Sequence, residues 1–165
     1  MNLDYSEIPN QAILASAKKY LLSAELIESQ NGQLELGSIL CSSFSIELLL
    51  KSLLSMSSPQ NIEQLDEGSW TYTCVNHTTA HGHCYSKLFD ELTSQHRSYL
   101  SSFFNPENEI ESLESMLKAF DNTFIKWRYG YETTNKPINV TLLLRLNRKL
   151  YDAIENMEIV REFNT

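Results

Sequence analysis

The stretch SFSIELLLKSLL, residues 43 to 54, combines a dense apolar pattern with one glutamate and one lysine. On a helical wheel of about 100° per residue, Glu47 lies in the middle of an apolar face. The apolar side chains within about 60° of it are Leu36, Leu40, Phe44, Leu50 and Leu54. The opposite side carries Ser38, Ser42, Ser45 and Ser52. The stretch predicts a helix over about residues 34 to 56, with a carboxylate on its apolar face.

That carboxylate needs a partner, because an ionised carboxylate in an apolar core costs several kcal/mol unless it is paired and hydrogen-bonded. Lys51 can pair with Glu47 locally at i,i+4, for a few tenths of a kcal/mol. A cation on another helix is the alternative, and we favour it because the flanking residues are so uniformly apolar. The serine side is either exposed to solvent or packed closely against another helix or subunit.

Four further segments have helical periodicity, at about 9–30, 83–103, 105–131 and 139–162. Their connections are mostly short. The sequence therefore predicts an all-α fold, an antiparallel up-down helical bundle of about five helices in a single domain spanning residues 1–165. The exception is a long loop predicted at about 57–82, which contains Pro59, Gly68 and Gly82 and lacks a helical period. Within it, WTYTCV at 70–75 has the composition of a short extended segment.

Composition predicts a soluble cytoplasmic protein. Hydrophobic residues make up 42% of the chain and charged residues 21%, which is typical of a globular protein. No apolar run approaches the ~20 residues of a membrane span, so no membrane association is expected. The first ten residues lack the pattern of a secretory signal. Three cysteines without a CxxC pair favour reduced thiols over a disulfide framework.

Charge is distributed unevenly along the chain. The net charge of −8 argues against long-range steering toward nucleic acid. Residues 126–149, however, contain six basic residues and one acidic residue. This segment is either a solvated helix face beside a turn, which is the interpretation we favour, or a local anion-binding patch.

The stretch WRYGYE, residues 127–132, supplies a candidate cation. Arg128 follows Phe124 by four residues and so lies next to an apolar stripe, and Glu132 follows Arg128 at i+4. A guanidinium can make bidentate contacts with a carboxylate or a phosphate. A purely structural interpretation is a buried Arg128–Glu47 pair that fixes the helix register.

The stretch CVNHTTAHGHC, residues 74–84, contains residue types that suit zinc: Cys74, His77, His81, His83 and Cys84. Their spacing does not match a zinc finger, so we predict no metal site and no cofactor. His83 fits the beginning of a helix, whereas His77 and His81 fit an exposed loop. His96 lies on an apolar stripe and is expected in the core or at its rim.

Three stretches, in order, resemble the HEPN superfamily of small helical bundles. SFSIELLLKSLL (43–54) is similar to the Glu-x-x-x-Lys helix of that superfamily. HGHCYSKLF (81–89) is similar to its Gly-His stretch before a helix bearing Leu-Phe, and FIKWRYGYE (124–132) to the Arg-Tyr-x-Tyr-Glu ending of one subgroup. With their flanking helical segments, these stretches cover nearly the whole chain.

The resemblance implies a dimerising α-bundle. Many members are ribonucleases of toxin–antitoxin, phage-defence or stress systems, and others are non-catalytic binding domains. The ribonuclease members typically carry an arginine followed, after four to six residues, by a histidine. Counted from Arg128, that histidine would fall at Thr133, Thr134 or Asn135, so catalysis of this type is not expected. None of these three side chains titrates near neutral pH, as a general acid or base generally does.

We therefore predict a polar cluster near the inner faces of the second to fourth helical segments, formed by Glu47, Lys51, His83, Arg128 and Glu132. The leading functional hypothesis is a non-enzymatic, homodimeric binding or regulatory module of defence or toxin–antitoxin type. Its ligand would be a nucleotide, an RNA or a cognate partner protein. One alternative is a divergent metal-independent ribonuclease, with Arg128 on the scissile phosphate and His83 as acid and base. The other is a structural polar cluster without a ligand.

Overall fold

A computed structural model describes residues 4–30, 35–78, 80–104, 111–129 and 137–164. Within these ranges the chain forms seven helices and four strands. In chain order they are β1 (Asp4–Ile8), α1 (Gln11–Glu28), α2 (Glu35–Ser52), β2 (Ser55–Asp66), β3 (Ser69–Thr78), α3 (Tyr85–Asp90), α4 (Ser94–Ser102), α5 (Leu113–Ala119), α6 (Thr123–Arg128), α7 (Val140–Glu155) and β4 (Val160–Asn164).

The prediction of an all-α fold is wrong, because the four strands form one antiparallel sheet with the order β3-β2-β1-β4. The fold is mixed α and β, and the all-α bundle that the HEPN resemblance implies is overturned with it. The strand β1 pairs with β4 from Asp4↔Asn164 to Ile8↔Val160. This pairing joins the two ends of the chain, so the local pattern of neither segment reveals it.

A β-hairpin occupies most of the predicted loop at 57–82. Its strands β2 and β3 are joined by a tight turn in which Gly68 has φ +89°, a conformation that favours glycine. The segment 70–75, expected to be extended, lies inside β3. The register shifts twice along β2, once where Asn61 adopts φ 52°, as in a β-bulge. Pro59 and the polar residues of β2 obscure the strand in the sequence.

The helix α2 runs through the middle of the helical part and packs against α1, α3, α6 and α7. The third and fourth predicted helical segments are each divided in two. Thr93 interrupts the third and caps α4 by accepting a hydrogen bond from the His96 amide at 3.2 Å. Asn122 interrupts the fourth with φ 59°. The part of that segment at 105–110 lies outside the described residues.

The serine side of α2 is a close-packed surface. Ser38 and Ser45 donate their hydroxyls to the α1 backbone oxygens of Ala24 and Ala17, at 3.1 and 2.8 Å. On α7, the buried Asn147 side chain lies 3.1 Å from Ser42 Oγ and 2.9 Å from Ser45 Oγ. Small side chains let the helix backbones approach closely, and each of these three hydroxyls has a hydrogen-bond partner: those of Ser38 and Ser45 donate, and that of Ser42 accepts from the Asn147 side-chain nitrogen. We call Ser38, Ser42, Ser45 and Asn147 the serine network.

Asn10 joins the sheet to the helices. Its side-chain oxygen accepts from the Ile13 amide at 3.1 Å and caps α1. Its side-chain nitrogen donates to Ser57 Oγ on β2 at 3.1 Å and to Asn76 Oδ1 on β3 at 3.0 Å. The base of the hairpin is thereby fixed against the beginning of α1.

Candidate functional site

Glu47 is buried and has a partner on each carboxylate oxygen. Its side chain is 2% exposed, with Oε1 2.7 Å from Lys51 Nζ and Oε2 2.7 Å from His83 Nδ1. The local i,i+4 pair with Lys51 is formed. A second, long-range contact is formed as well, although its partner does not lie on another helix. That second partner is His83, from the connection between β3 and α3. We call Glu47, Lys51 and His83 the Glu47 cluster.

The contact with Glu47 fixes the orientation of the His83 ring. An ionised carboxylate only accepts hydrogen bonds, so Nδ1 carries the proton. The other ring nitrogen, Nε2, is left to accept a hydrogen bond when the ring is neutral and to donate when it is protonated. The His83 side chain is 41% exposed. The cluster therefore connects a buried charge to the surface through one oriented imidazole.

Neighbouring hydrogen bonds hold His83 in this place. Before it, Gly82 has φ +100°, a left-handed conformation that favours glycine. After it, Tyr85 donates its hydroxyl to the Ser43 backbone oxygen on α2 at 2.9 Å. Ser86 binds Asp121, in the turn between α5 and α6, through its amide at 2.9 Å and its hydroxyl at 2.6 Å. The beginning of α3 is thus tied to both α2 and the turn that leads into α6.

A row of aromatic rings leads from α1 to His83. Tyr20 meets Phe44 edge-on at a centroid distance of 4.7 Å, and Phe44 stacks on Phe124 at 5.5 Å. The Phe124 ring lies 5.8 Å from the imidazole of His83. Tyr20 is exposed and the other three rings are half-buried. We call Tyr20, Phe44 and Phe124 the aromatic row.

The sequence pattern does not reveal this row, because half-exposed aromatic residues and core residues have the same helical spacing. The Glu47 side of α2 is the side turned partly toward solvent, where Leu36 is exposed and Leu40 and Phe44 are half-buried. Other sides of α2 are buried through Ile39, Ile46 and Leu49, and the serine side is buried as well. Since the polar side of α2 is buried and an apolar side is partly exposed, a helical wheel cannot identify the exposed side.

Arg128 does not pair with Glu47, so the buried Arg128–Glu47 pair of the structural interpretation is not formed. Arg128 is the exposed last residue of α6, and its guanidinium lies over the Tyr129 ring at 5.4 Å. One helical turn after Phe124, it lies on the same side of α6 as that ring. Among the described residues, no carboxylate is within ion-pair distance of Arg128. Glu132, its predicted i+4 neighbour, lies outside the described residues.

The described basic residues of 126–149 do not form a single patch. Arg148 on α7 binds Glu25 on α1 through two nitrogens, Nε at 2.8 Å and Nη2, and this hydrogen bonding raises the pKa of the guanidinium. Lys149 lies over the Phe104 ring at 5.3 Å. On α6, Lys126 donates to the Asp121 backbone oxygen at 3.0 Å. Arg128 differs from these three in sharing a side of α6 with Phe124, a member of the aromatic row.

The other histidines and cysteines lie apart from the Glu47 cluster. His77, on β3, and His81 are exposed, as predicted, and His96 is half-buried. Burial lowers the pKa of His96. Over the described ranges, no group of three or more histidine, cysteine or acidic side chains is placed to hold a metal ion. No helix in that part of the chain has the length and apolar character needed to cross a membrane.

The site thus brings together an oriented imidazole, an exposed guanidinium and a row of half-exposed rings. An imidazole and a guanidinium can bind an anionic oxygen, and aromatic rings can stack with a planar group. Of the predicted residues, Glu47, Lys51 and His83 are in direct contact. Arg128 lies one helical turn from Phe124 on α6, and the Phe124 ring is 5.8 Å from the His83 ring. No family model matches this chain, and neither does any curated protein or solved structure.

Proposed function

We propose that the chain is a binding module without catalytic activity, and that its ligand is an RNA or a nucleotide. The observation that carries this proposal is the continuous surface from Tyr20 through Phe44 and Phe124 to the imidazole that Glu47 holds. Such a surface offers rings for a base beside cationic groups for a phosphate.

Each part of this surface matches one part of a nucleotide. Stacking of a base on an aromatic side chain contributes about 1–3 kcal/mol, and it tolerates any base. Arg128 provides a fork of donors for phosphate oxygens. His83 Nε2 adds a donor when the imidazole is protonated, while Nδ1 remains on Glu47. The ligand is therefore held by stacking and one or two phosphate contacts rather than by a broad basic patch.

The biological setting belongs to the same proposal. The resemblance supports a homodimeric regulatory module of defence or toxin–antitoxin type in the cytoplasm, acting with a cognate partner protein. The cysteines Cys41, Cys74 and Cys84 form no disulfide, which suits a reducing compartment.

Fluorescence anisotropy with a labelled single-stranded RNA, competed by a nucleotide, tests the binding proposal. Arg128→Ala is expected to weaken binding about tenfold or more, because a hydrogen bond to a charged group contributes about 1.5–3 kcal/mol. Lys118→Ala, which removes an exposed lysine from α5, is the matched control and should bind like the wild type. Absence of binding by the wild type, or equal affinity of Arg128→Ala, would reject the proposal and favour a structural cluster or a protein ligand.

A divergent metal-independent ribonuclease is the second candidate, favoured by the 2.7 Å contact between Glu47 Oε2 and His83 Nδ1. A carboxylate that orients an imidazole through Nδ1 leaves Nε2 to transfer protons. In this mechanism Arg128 would bind the scissile phosphate. His83→Asn is the informative variant, because the amide can still donate to Glu47 while Nε2 is lost. Incubation of the wild type with a mixed RNA pool in the presence of a chelator should then show cleavage that His83→Asn lacks, and intact RNA with the wild type rejects this candidate.

A further inference from the structure

The β2–β3 hairpin extends from the body of the protein with both strands largely exposed. The described side chains from Gln60 to Cys74 are all exposed. They include large apolar groups, with Trp70 57% and Tyr72 55% exposed. The base of the hairpin is attached to the body, because Asn76 and Ser57 bind Asn10 and β2 pairs with β1 at Tyr5↔Ser57. This arm is longer than the tight connection that joining α2 to α3 requires.

The two edges of the sheet differ in their protection against further pairing. The strand β4 is short, contains Arg161 and Glu162, and places Arg161 3.5 Å from Glu7. The strand β3 is twice as long, SWTYTCVNHT, and contains no lysine, arginine, acid or proline. Natural sheets protect exposed edges with charges, proline or short strands. Since none of the other described strands pairs with its outer edge, β3 has the properties of an edge that another strand covers.

We propose that a second copy of this chain covers the outer edge of β3, so that two β3 strands pair antiparallel about a two-fold axis and the two sheets become one. A two-fold axis perpendicular to the sheet makes identical strands antiparallel and keeps each face on its own side. The two-fold axis sets one residue opposite its own copy, so the greatest overlap of the ten-residue strands is nine residues and places this axis at Thr73 or at Cys74. The uncharged centre of the strand then meets its own copy without repulsion between like charges.

The distribution of polar groups favours a second copy as the occupant. The turn of the hairpin is acidic, with Asp66 and Glu67, whereas the base carries the exposed His77 and His81, whose ring N–H groups can donate hydrogen bonds to carboxylates. Antiparallel pairing sets the acidic turn of one copy beside the histidine-bearing base of the other, and separates the two acidic turns from each other. Parallel pairing would bring the two acidic turns together.

The faces of the arm also agree with this arrangement. Side chains alternate along a strand, so Trp70, Tyr72 and Asn76 share one face of β3. Asn76 lies against Asn10, at the beginning of α1, which shows that this face is the one turned toward the helical body. In the antiparallel pair, Trp70 and Tyr72 of one copy lie near the base of the hairpin of the other copy, on the face turned toward the helices. Trp70 and Tyr72 are thereby covered by the helical side of the second copy.

Sedimentation and light scattering across the micromolar range test this interface on the whole chain. The wild type is expected to be a dimer, and Thr73→Lys a monomer, because it sets two lysines close together at the axis. Thr73→Val at the same position, and Leu26→Lys on the exposed side of α1, are expected to remain dimers. Circular dichroism establishes that Thr73→Lys is folded.

Crosslinking provides a second readout. With the axis at Cys74 the two Cys74 side chains lie opposite each other, and with the axis at Thr73 they lie diagonal to each other across the strand pair. A short bis-maleimide should therefore link the two chains. The substitution Cys74→Ser should abolish this crosslinked product. A monomeric wild type overturns the proposal. So does a dimer that persists in Thr73→Lys and gives no Cys74 crosslink. Neither outcome depends on RNA binding, so this proposal and the proposed RNA-binding activity fail independently. A monomeric wild type would also contradict the homodimeric setting proposed above, whereas a dimer built on another surface would leave that setting intact.

Discussion

The two polar sides of α2 satisfy their buried groups in different ways. In the serine network, hydroxyls bind backbone oxygens of α1 and the buried Asn147 of α7. In the Glu47 cluster, the carboxylate binds a lysine that is 16% exposed and a histidine that is 41% exposed. The first arrangement is closed inside the protein, whereas the second opens to the surface.

This difference separates packing from function. A closed network of neutral groups fixes how closely two helices approach, and it has nothing to offer a ligand. A buried carboxylate with a partly exposed lysine and histidine as partners is a costly way to stabilise a core, because hydrophobic replacements often do as well. The presence of the Glu47 cluster is explained if the protein uses the fixed orientation of His83 to bind a ligand.

Glu47→Ala is expected to have the largest effect on stability. The substitution leaves Lys51 without its acceptor in a mostly buried position and creates a cavity, so the free energy of unfolding should fall by about 3 kcal/mol. Urea denaturation measures this difference. A loss below about 1 kcal/mol would show that the cluster is open enough for water to replace the carboxylate.

The double substitution Glu47→Met, Lys51→Met sharpens the separation between packing and function. It removes both charges while keeping the apolar volume, so much of the stability lost in Glu47→Ala should return. RNA binding should stay weak, because nothing orients His83. Wild-type affinity in this stable variant would show that the Glu47 cluster only stabilises the fold.

Asn147→Leu should destabilise the protein by about 2 kcal/mol, since it removes a buried group that bonds to Ser42 and Ser45. RNA binding by the folded variant should be unchanged, because the serine network lies on the opposite side of α2 from Glu47. A specific loss of RNA affinity, measured where the variant is fully folded, would contradict this division between the two sides.

Ser38→Ala should cost about 1 kcal/mol, because its buried hydroxyl bonds to Ala24 on α1. Ser23→Ala is the matched control. Its exposed hydroxyl bonds within α1, to the Lys19 oxygen, so its effect should stay within about 0.5 kcal/mol. Thermal unfolding of the two variants compares them, and equal losses would show that the serine network contributes nothing specific.

Salt should affect RNA binding only slightly. With about two phosphate contacts, the logarithm of the affinity should fall with the logarithm of salt concentration at a slope of about −1.4 for a single strand. A slope several times steeper, measured by anisotropy in increasing potassium chloride, would reveal a larger basic surface than Arg128 and His83 provide.

The sequence reveals the helices better than the sheet. The apolar periodicity of 9–30 correctly predicts α1, because the helix records its packing in its own residues. The periodicity of 139–162 covers the whole of α7 but wrongly extends the helix into β4. The strands β1 and β4 depend on pairing between the two chain ends, which no local pattern encodes. The sequence does not reveal the hairpin, because both faces of its strands are exposed. The strands therefore lack the alternation of apolar and polar residues that is typical of a half-buried sheet.

The candidate site was predictable only in part. An acid on an apolar face implies a partner, and that reasoning correctly anticipates a long-range contact for Glu47. It names Arg128 as the cation, whereas His83 makes the contact from a position 36 residues along the chain. Which of several candidate groups reaches a buried acid depends on how the connections fold. The aromatic row was hidden because half-exposed and buried rings have the same spacing in a sequence.

The most direct test of the central claim follows the four histidine side chains by ¹⁵N-edited NMR while a short single-stranded RNA is added. The ring resonances of His83 should shift as RNA is added and reach a plateau, whereas those of His96 should stay unchanged. In Arg128→Ala, the RNA affinity obtained from the His83 shifts should be lower by about tenfold or more. An unchanged His83 resonance under conditions where the RNA binds elsewhere on the protein would contradict the account.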